Sequence, residues 1–181
     1  MKIRNRVYMA LLALLLFNIT GCNAVKSESK KLDSGSNGKA TLSVILMLDK
    51  TLYTSNETIE ADVLLKNTGT GIDTLVNARM AVCLIPNINC EITLVIKSPS
   101  GDFPDTTGNW RNRFIIESDF IVLSPRRGIL ASYNIQSYYT LDEYGVYSVY
   151  AIYQNQLDPQ KGSIAWKGKL TSNTVYFEIT P

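Results

Sequence analysis

Between Ile59 and Lys66 the side chains alternate strictly in their placement: Ile59, Ala61, Val63 and Leu65 fall on one side, and Glu60, Asp62, Leu64 and Lys66 on the other. Successive side chains of an extended chain point to opposite faces, so this period is that of a strand with one buried and one wet face. On a helix the same residues would scatter around the axis instead of forming a stripe. Residues 41–48 are apolar and β-branched and are stopped by Asp49-Lys50, and residues 67–71 form a turn cluster with Gly69 and Gly71 available for positive φ. Residues 74–78, 78–84, 90–97, 110–116, 119–123, 129–136 and 174–179 read as further extended segments, and Arg126-Arg127 form the exposed basic tip of a turn. No helix of three turns and no internal repeat emerges beyond the first residues. Eight or nine short strands at close spacing predict an all-β fold, a single antiparallel β-sandwich.

The start of the chain is of another kind. Lys2, Arg4 and Arg6 precede an unbroken apolar run from Val7 to Phe17, and Ile19-Thr20-Gly21-Cys22 follows. A basic beginning, a short apolar stretch and a small-residue site make a secretory signal peptide. The run is shorter than the about 20 apolar residues that span a bilayer. At its end the sequence resembles the lipobox of bacterial lipoproteins, the substrates of signal peptidase II, with Ile19 where Leu is commonest. That resemblance implies diacylglycerol on the Cys22 thiol, cleavage before it and acylation of the new amino terminus by a chain such as palmitate. It implies attachment to a cell membrane or outer membrane, facing the periplasm or the exterior. In two-membrane bacteria an Asp after the cysteine favours inner-membrane retention, and Asn23 is not Asp.

Removing residues 1–21 changes the charge argument. Three of the 18 Lys and Arg lie there and none of the 16 Asp and Glu, so the remaining chain has 15 against 16. A net charge of −1 gives no reason to expect nucleic acid as a partner. Residues 22–39, rich in Ser, Lys, Gly and Asn, bury too little surface to offset their ordering entropy and read as a lipidated flexible tether. Residues 40–181 have the length of one domain. The chain has no histidine, which removes Ser-His-Asp and Cys-His catalysis and His-ligated zinc. No cofactor is expected.

Cys83 and Cys90 flank the connection between two predicted strands. In an exported protein they read as a disulfide, and opposed positions of an antiparallel ladder lie about 4.5–5.5 Å apart, within reach of a bridge. Two buried free thiols are the alternative. Closing so short a loop contributes roughly 2.5 kcal/mol on the chain-entropy account.

Leu141-Asp142-Glu143-Tyr144-Gly145-Val146-Tyr147-Ser148-Val149 resembles the tyrosine corner of immunoglobulin-like sandwiches, acidic-x-Gly-x-Tyr-x-Cys. Glu143, Gly145 and Tyr147 take the acidic, glycine and tyrosine places, and Val149 stands where antibody domains carry a cysteine. The resemblance implies an immunoglobulin-like sandwich without the inter-sheet bridge. Its tyrosine has the ring in the core and the hydroxyl bonded back to the preceding turn. Tyr147, Val149 and Ala151 then form the core-facing set of the strand, and of Tyr138 and Tyr139 at most one enters the core.

Candidate sites are few. Asp102 and Asp105 lack the surroundings of a calcium loop and read as solvated carboxylates. Glu117 with Asp119, and Asp142 with Glu143, are the nearest carboxylate pairs for hydrolysis; on a strand Glu117 and Asp119 would share a face. Trp110 and Trp166 border the polar loops 98–109 and 154–163 and are the candidates for stacking on a sugar, or else core and loop-covering residues. The expected function is a membrane-anchored, non-catalytic binding module for another envelope protein or for envelope assembly. A carbohydrate-binding surface module is the alternative, and a hydrolase using paired carboxylates ranks third.

Overall fold

The computed structural model describes residues 41–83, 90–108 and 114–181; Cys22, Trp110 and the tether lie outside them. In chain order the strands are β1 (Leu42–Leu48), β2 (Leu52–Thr54), β3 (Glu60–Asn67), β4 (Thr74–Asn77), β5 (Ile92–Lys97), β6 (Phe120–Leu123), β7 (Gly128–Asn134), β8 (Gly145–Asn155), β9 (Gly168–Thr171) and β10 (Val175–Thr180). One sheet has the order β1-β3-β7, and the other β2-β10-β8-β5. β10 pairs with the first half of β8 and β9 with its last residues, and β4 and β6 form a separate antiparallel pair. All pairings are antiparallel except β2 with β10.

The alternation in the sequence builds these sheets. Ile59, Ala61, Val63 and Leu65 are all fully buried, and opposite them on β7 Tyr133, Ala131 and Ile129 point the same way. From the second sheet Leu94, Ile96, Tyr147, Val149, Ala151, Phe177 and Ile179 complete the core. Burying each large side chain of this kind contributes roughly 1.5–3 kcal/mol. Tyr147 stacks on Phe177 with ring centroids 5.2 Å apart, and Tyr53 meets Phe177 edge-on at 6.0 Å. Between β1 and β2 the chain crosses from one sheet to the other over Asp49, Lys50 and Thr51. Tyr53 fixes that step, its hydroxyl bonded to Asp49 and 3.0 Å from the Lys50 carbonyl oxygen.

Two expectations change in detail. The turn after β3 is organised by Asn67, not by its glycines: the buried amide donates to the Ile72 and Leu123 carbonyls at 2.9 and 2.8 Å and accepts from Gly69 N–H at 3.0 Å. Residues 78–83 do not run as an antiparallel partner of β5. Only Val82 bridges Ile92, in the parallel sense, with Ile92 N–H donating to Ala81 O at 2.9 Å and Cys83 N–H to Ile92 O at 2.8 Å. Cys83 and Cys90 are nevertheless joined as a disulfide with Cα atoms 5.7 Å apart, so the bridge links two segments that are not partners in an antiparallel ladder.

Candidate functional site

At the start of β8 the Tyr147 hydroxyl donates to the Glu143 carbonyl at 2.9 Å and accepts from Glu143 N–H at 3.0 Å. This is the tyrosine-corner arrangement. The Glu143 carboxylate accepts from the N–H and hydroxyl of Ser100 at 3.1 and 3.0 Å. Hydrogen bonds from the Ser98 and Ser100 hydroxyls hold its pKa below the ordinary 4.5. Gly145 has φ +125°, and a Cβ there would come within 3.1–3.2 Å of the Pro99 ring. The three motif residues therefore clamp the turn after β5 against the entrance to β8. Of the Asp142 and Glu143 pair, Glu143 is thus engaged by the Ser98–Ser100 turn.

A second polar centre escapes a reading of the sequence. Glu91 is 2% exposed and receives Arg79 Nε at 2.9 Å, an Arg79 terminal nitrogen at 3.0 Å, Asn77 Nδ2 at 3.0 Å and Ala81 N–H at 3.1 Å. Both side chains of the ion pair are buried. Around it the hydroxyl of Tyr153 donates to Asn77 O at 2.8 Å and that of Tyr133 to Met80 O. Met80 has φ +50°, a conformation that persists only where its surroundings hold it. Burial, with the Glu91 charge adding to it, pushes the Tyr153 phenol well above its ordinary range. A buried pair whose oxygens are all engaged fixes a conformation and offers a ligand no free acceptor. The only sequence signal is an acid between a cysteine and an apolar strand; its partners lie 10–14 residues upstream and meet it through the fold alone.

The remaining predicted residues fall apart in space. Glu117 and Asp119 form a short 3₁₀ turn, Glu117–Asp119, not a strand. Asp119 is buried and accepts from Ile116 N–H at 2.8 Å, whereas Glu117 accepts from Gln160 N–H at 2.9 Å. One carboxylate closes a turn and the other ties down a loop, because the chain curls before β6 starts. Asp105 contributes its carbonyl to Thr140 N–H at 2.8 Å, and among the described residues no three acidic or sulfur side chains gather as a metal site. Loops 98–108 and 156–163 sit at opposite ends of β8, whose 11 residues span roughly 35 Å. They do not converge. Trp166 is half-buried, its ring 5.8 Å from that of Tyr153, and Gly168 lies so close that a Cβ would meet the indole at 2.9 Å. Of the tyrosine pair, Tyr139 enters the core and bonds the Leu94 carbonyl; Tyr138 is half-buried.

A first sheet ordered β1-β3-β7, facing a second in which β1's continuation β2 runs parallel to the last strand, with a tyrosine corner at the entrance to β8, defines an immunoglobulin-like β-sandwich. No protein-family model matches the chain, and no curated protein matches it. Among solved structures it is similar to the CARDB domain of a Pyrococcus furiosus protein determined in complex with di-metal ions. The identity is 15%, the TM-score 0.39, and the match covers 77% of this chain and 93% of that one. The fold assignment rests on the strand order and the corner.

Proposed function

We propose that this protein is a lipoprotein anchored through Cys22, whose immunoglobulin-like sandwich is displayed on the outward side of a membrane to bind another envelope protein. The observation that carries the reading is the run Ile19-Thr20-Gly21-Cys22 behind a basic, apolar beginning, followed by a polar stretch and a sandwich whose first strand starts at Leu42. Recognition by such sandwiches resides in loops and strand edges. The acidic residues that a hydrolase would need hold turns and loops in place, which lends that reading no support. The glycan reading weakens at Trp166, whose indole packs on Tyr153 and the Gly168 backbone; Trp110 lies outside the described residues.

Two measurements test the proposal separately. Intact-mass analysis of the protein from membranes should give a chain beginning at Cys22 with a diacylglycerol thioether, and Cys22→Ser should leave the precursor unprocessed; a mature chain starting elsewhere without lipid defeats the anchor. Cross-linking in intact cells should recover one stoichiometric protein partner. Recovery of peptidoglycan or glycan alone would overturn the choice of partner.

A further inference from the structure

The edges of the two sheets are treated very differently. In β1 the outward backbone of Leu46 is covered by Asn173, whose amide accepts from Leu46 N–H and donates to Leu46 O, both at 3.0 Å. On β5, Ala81 and Cys83 take both backbone groups of Ile92, and Tyr139 takes the Leu94 carbonyl. β2 has only three residues. β7 has seven, Gly-Ile-Leu-Ala-Ser-Tyr-Asn, with no proline or charge among them, the devices that usually blunt an edge.

The register says which groups are open. Asn67 N–H donates to Arg127 O at 2.9 Å, and pairing alternates along an antiparallel ladder. Ile129, Ala131 and Tyr133 therefore bond to β3, while the N–H and C=O of Gly128, Leu130 and Ser132 point away from it. These three residues are exposed, and none of those backbone groups has a partner among the described residues. On the outer face Ile45, Leu64 and Leu130 lie in one cross-strand row, ending at the edge with Leu130 55% exposed.

We propose that β7 pairs with β7 of a second copy of this chain, antiparallel about a two-fold axis at Leu130, joining two three-stranded sheets into one of six. Charge selects this occupant. Glu60 and Asp62 lie beside Asn134 and Ser132 at one end of β7, and Lys66 and the exposed Arg126-Arg127 tip lie at the other. A two-fold antiparallel pairing sets the basic end of each copy against the acidic end of its mate, and like charges opposed across a sheet are unfavourable. The same axis places Leu130 against Leu130, so the apolar row runs unbroken from one Ile45 to the other. Nothing in this depends on whether Cys22 is lipidated.

Trapping tests it. Opposed, hydrogen-bonded positions lie about 5.5 Å apart between Cα atoms, within disulfide reach. The full-length protein carrying Leu130→Cys, mildly oxidised in cells, should give a covalent homodimer in about tenfold excess over Lys169→Cys, an exposed position on β9. Adding Ser132→Pro removes an outward donor from both edges and leaves the backbone bonds to β3 intact, at the loss of the Ser132 hydroxyl's bond to Asp62; it should lower trapping by about tenfold or more. If near-UV circular dichroism shows that Ser132→Pro has lost its packing, Ser132→Lys replaces it as the edge-blocking change. Equal trapping at the two cysteine positions, trapping indifferent to the edge-blocking change, or an adduct containing a different chain would each overturn the proposal.

Discussion

At Tyr147 one hydroxyl closes two bonds to the backbone of Glu143 while its ring stacks on Phe177. Tyr147→Phe keeps the stack and leaves two backbone groups at the corner without their partner, which should cost about 1–3 kcal/mol; chemical denaturation monitored by tryptophan fluorescence measures it. Glu91 presents the opposite case. Glu91→Gln takes the carboxylate charge out of the buried pair with Arg79, a change expected to cost about 3–5 kcal/mol. The midpoint of urea unfolding against that of the parent protein is the check, and a loss below that of Tyr147→Phe would show that Arg79 finds another partner. These two residues also mark what a sequence can disclose. Tyr147 is legible because its partner Glu143 is four positions away within one local pattern. Arg79, Asn77 and Glu91 are not, since none is distinctive alone and their meeting depends on where β4 and β5 are placed by the rest of the fold.

Elements follow the same division. β3 is readable because a period of two is written into it independently of its neighbours, β1 and β10 because their runs are apolar and β-branched, and β8 because the corner pattern opens it. The segment 78–83 reads as a ladder strand and is not one: its apolar residues satisfy the pattern, but the bonds to Glu91 and the turn at Met80 set it in the parallel sense beside Ile92. The 3₁₀ turn at Glu117–Asp119 is likewise invisible, as three residues carry no period. Asn173 shows an element-scale effect of a single side chain, because it stitches the connection between β9 and β10 to the free edge of β1. Asn173→Ala removes both bonds to Leu46 and is expected to cost about 1–3 kcal/mol. Amide hydrogen exchange should locate the loss, with protection falling at Leu46 while Ala61, Val63 and Leu65 exchange as before.

For the molecule as a whole, the class of fold is within reach of the sequence, and a binding surface is not. Loops 98–108 and 156–163 take their shapes from long-range bonds such as Ser100 to Glu143 and Gln160 to Glu117, and local residue patterns do not encode those meetings. A global property that does follow is the response to alkali. Burial pushes the Tyr139 phenol up to about 12, and raises those of Tyr53, Tyr133 and Tyr153 as well, from an ordinary value of 10.0. Below pH 10 these groups are protonated whether folded or not. Above it the unfolded chain loses protons that the folded one keeps, so stability should fall between about pH 10 and 12. Phenolate absorbance in the near ultraviolet should rise in two stages, the second coinciding with loss of secondary structure.

The crossing of the chain from β1 to β2 has a mechanical meaning. Because β2 runs parallel to β10, a load applied between Thr51, just before β2, and Pro181 draws those two strands past each other along their length. Their hydrogen bonds lie across that direction and must rupture together, whereas in an antiparallel hairpin pulled from its open end they break in succession. Single-molecule extension from these two points should therefore show one abrupt yielding event instead of a gradual lengthening.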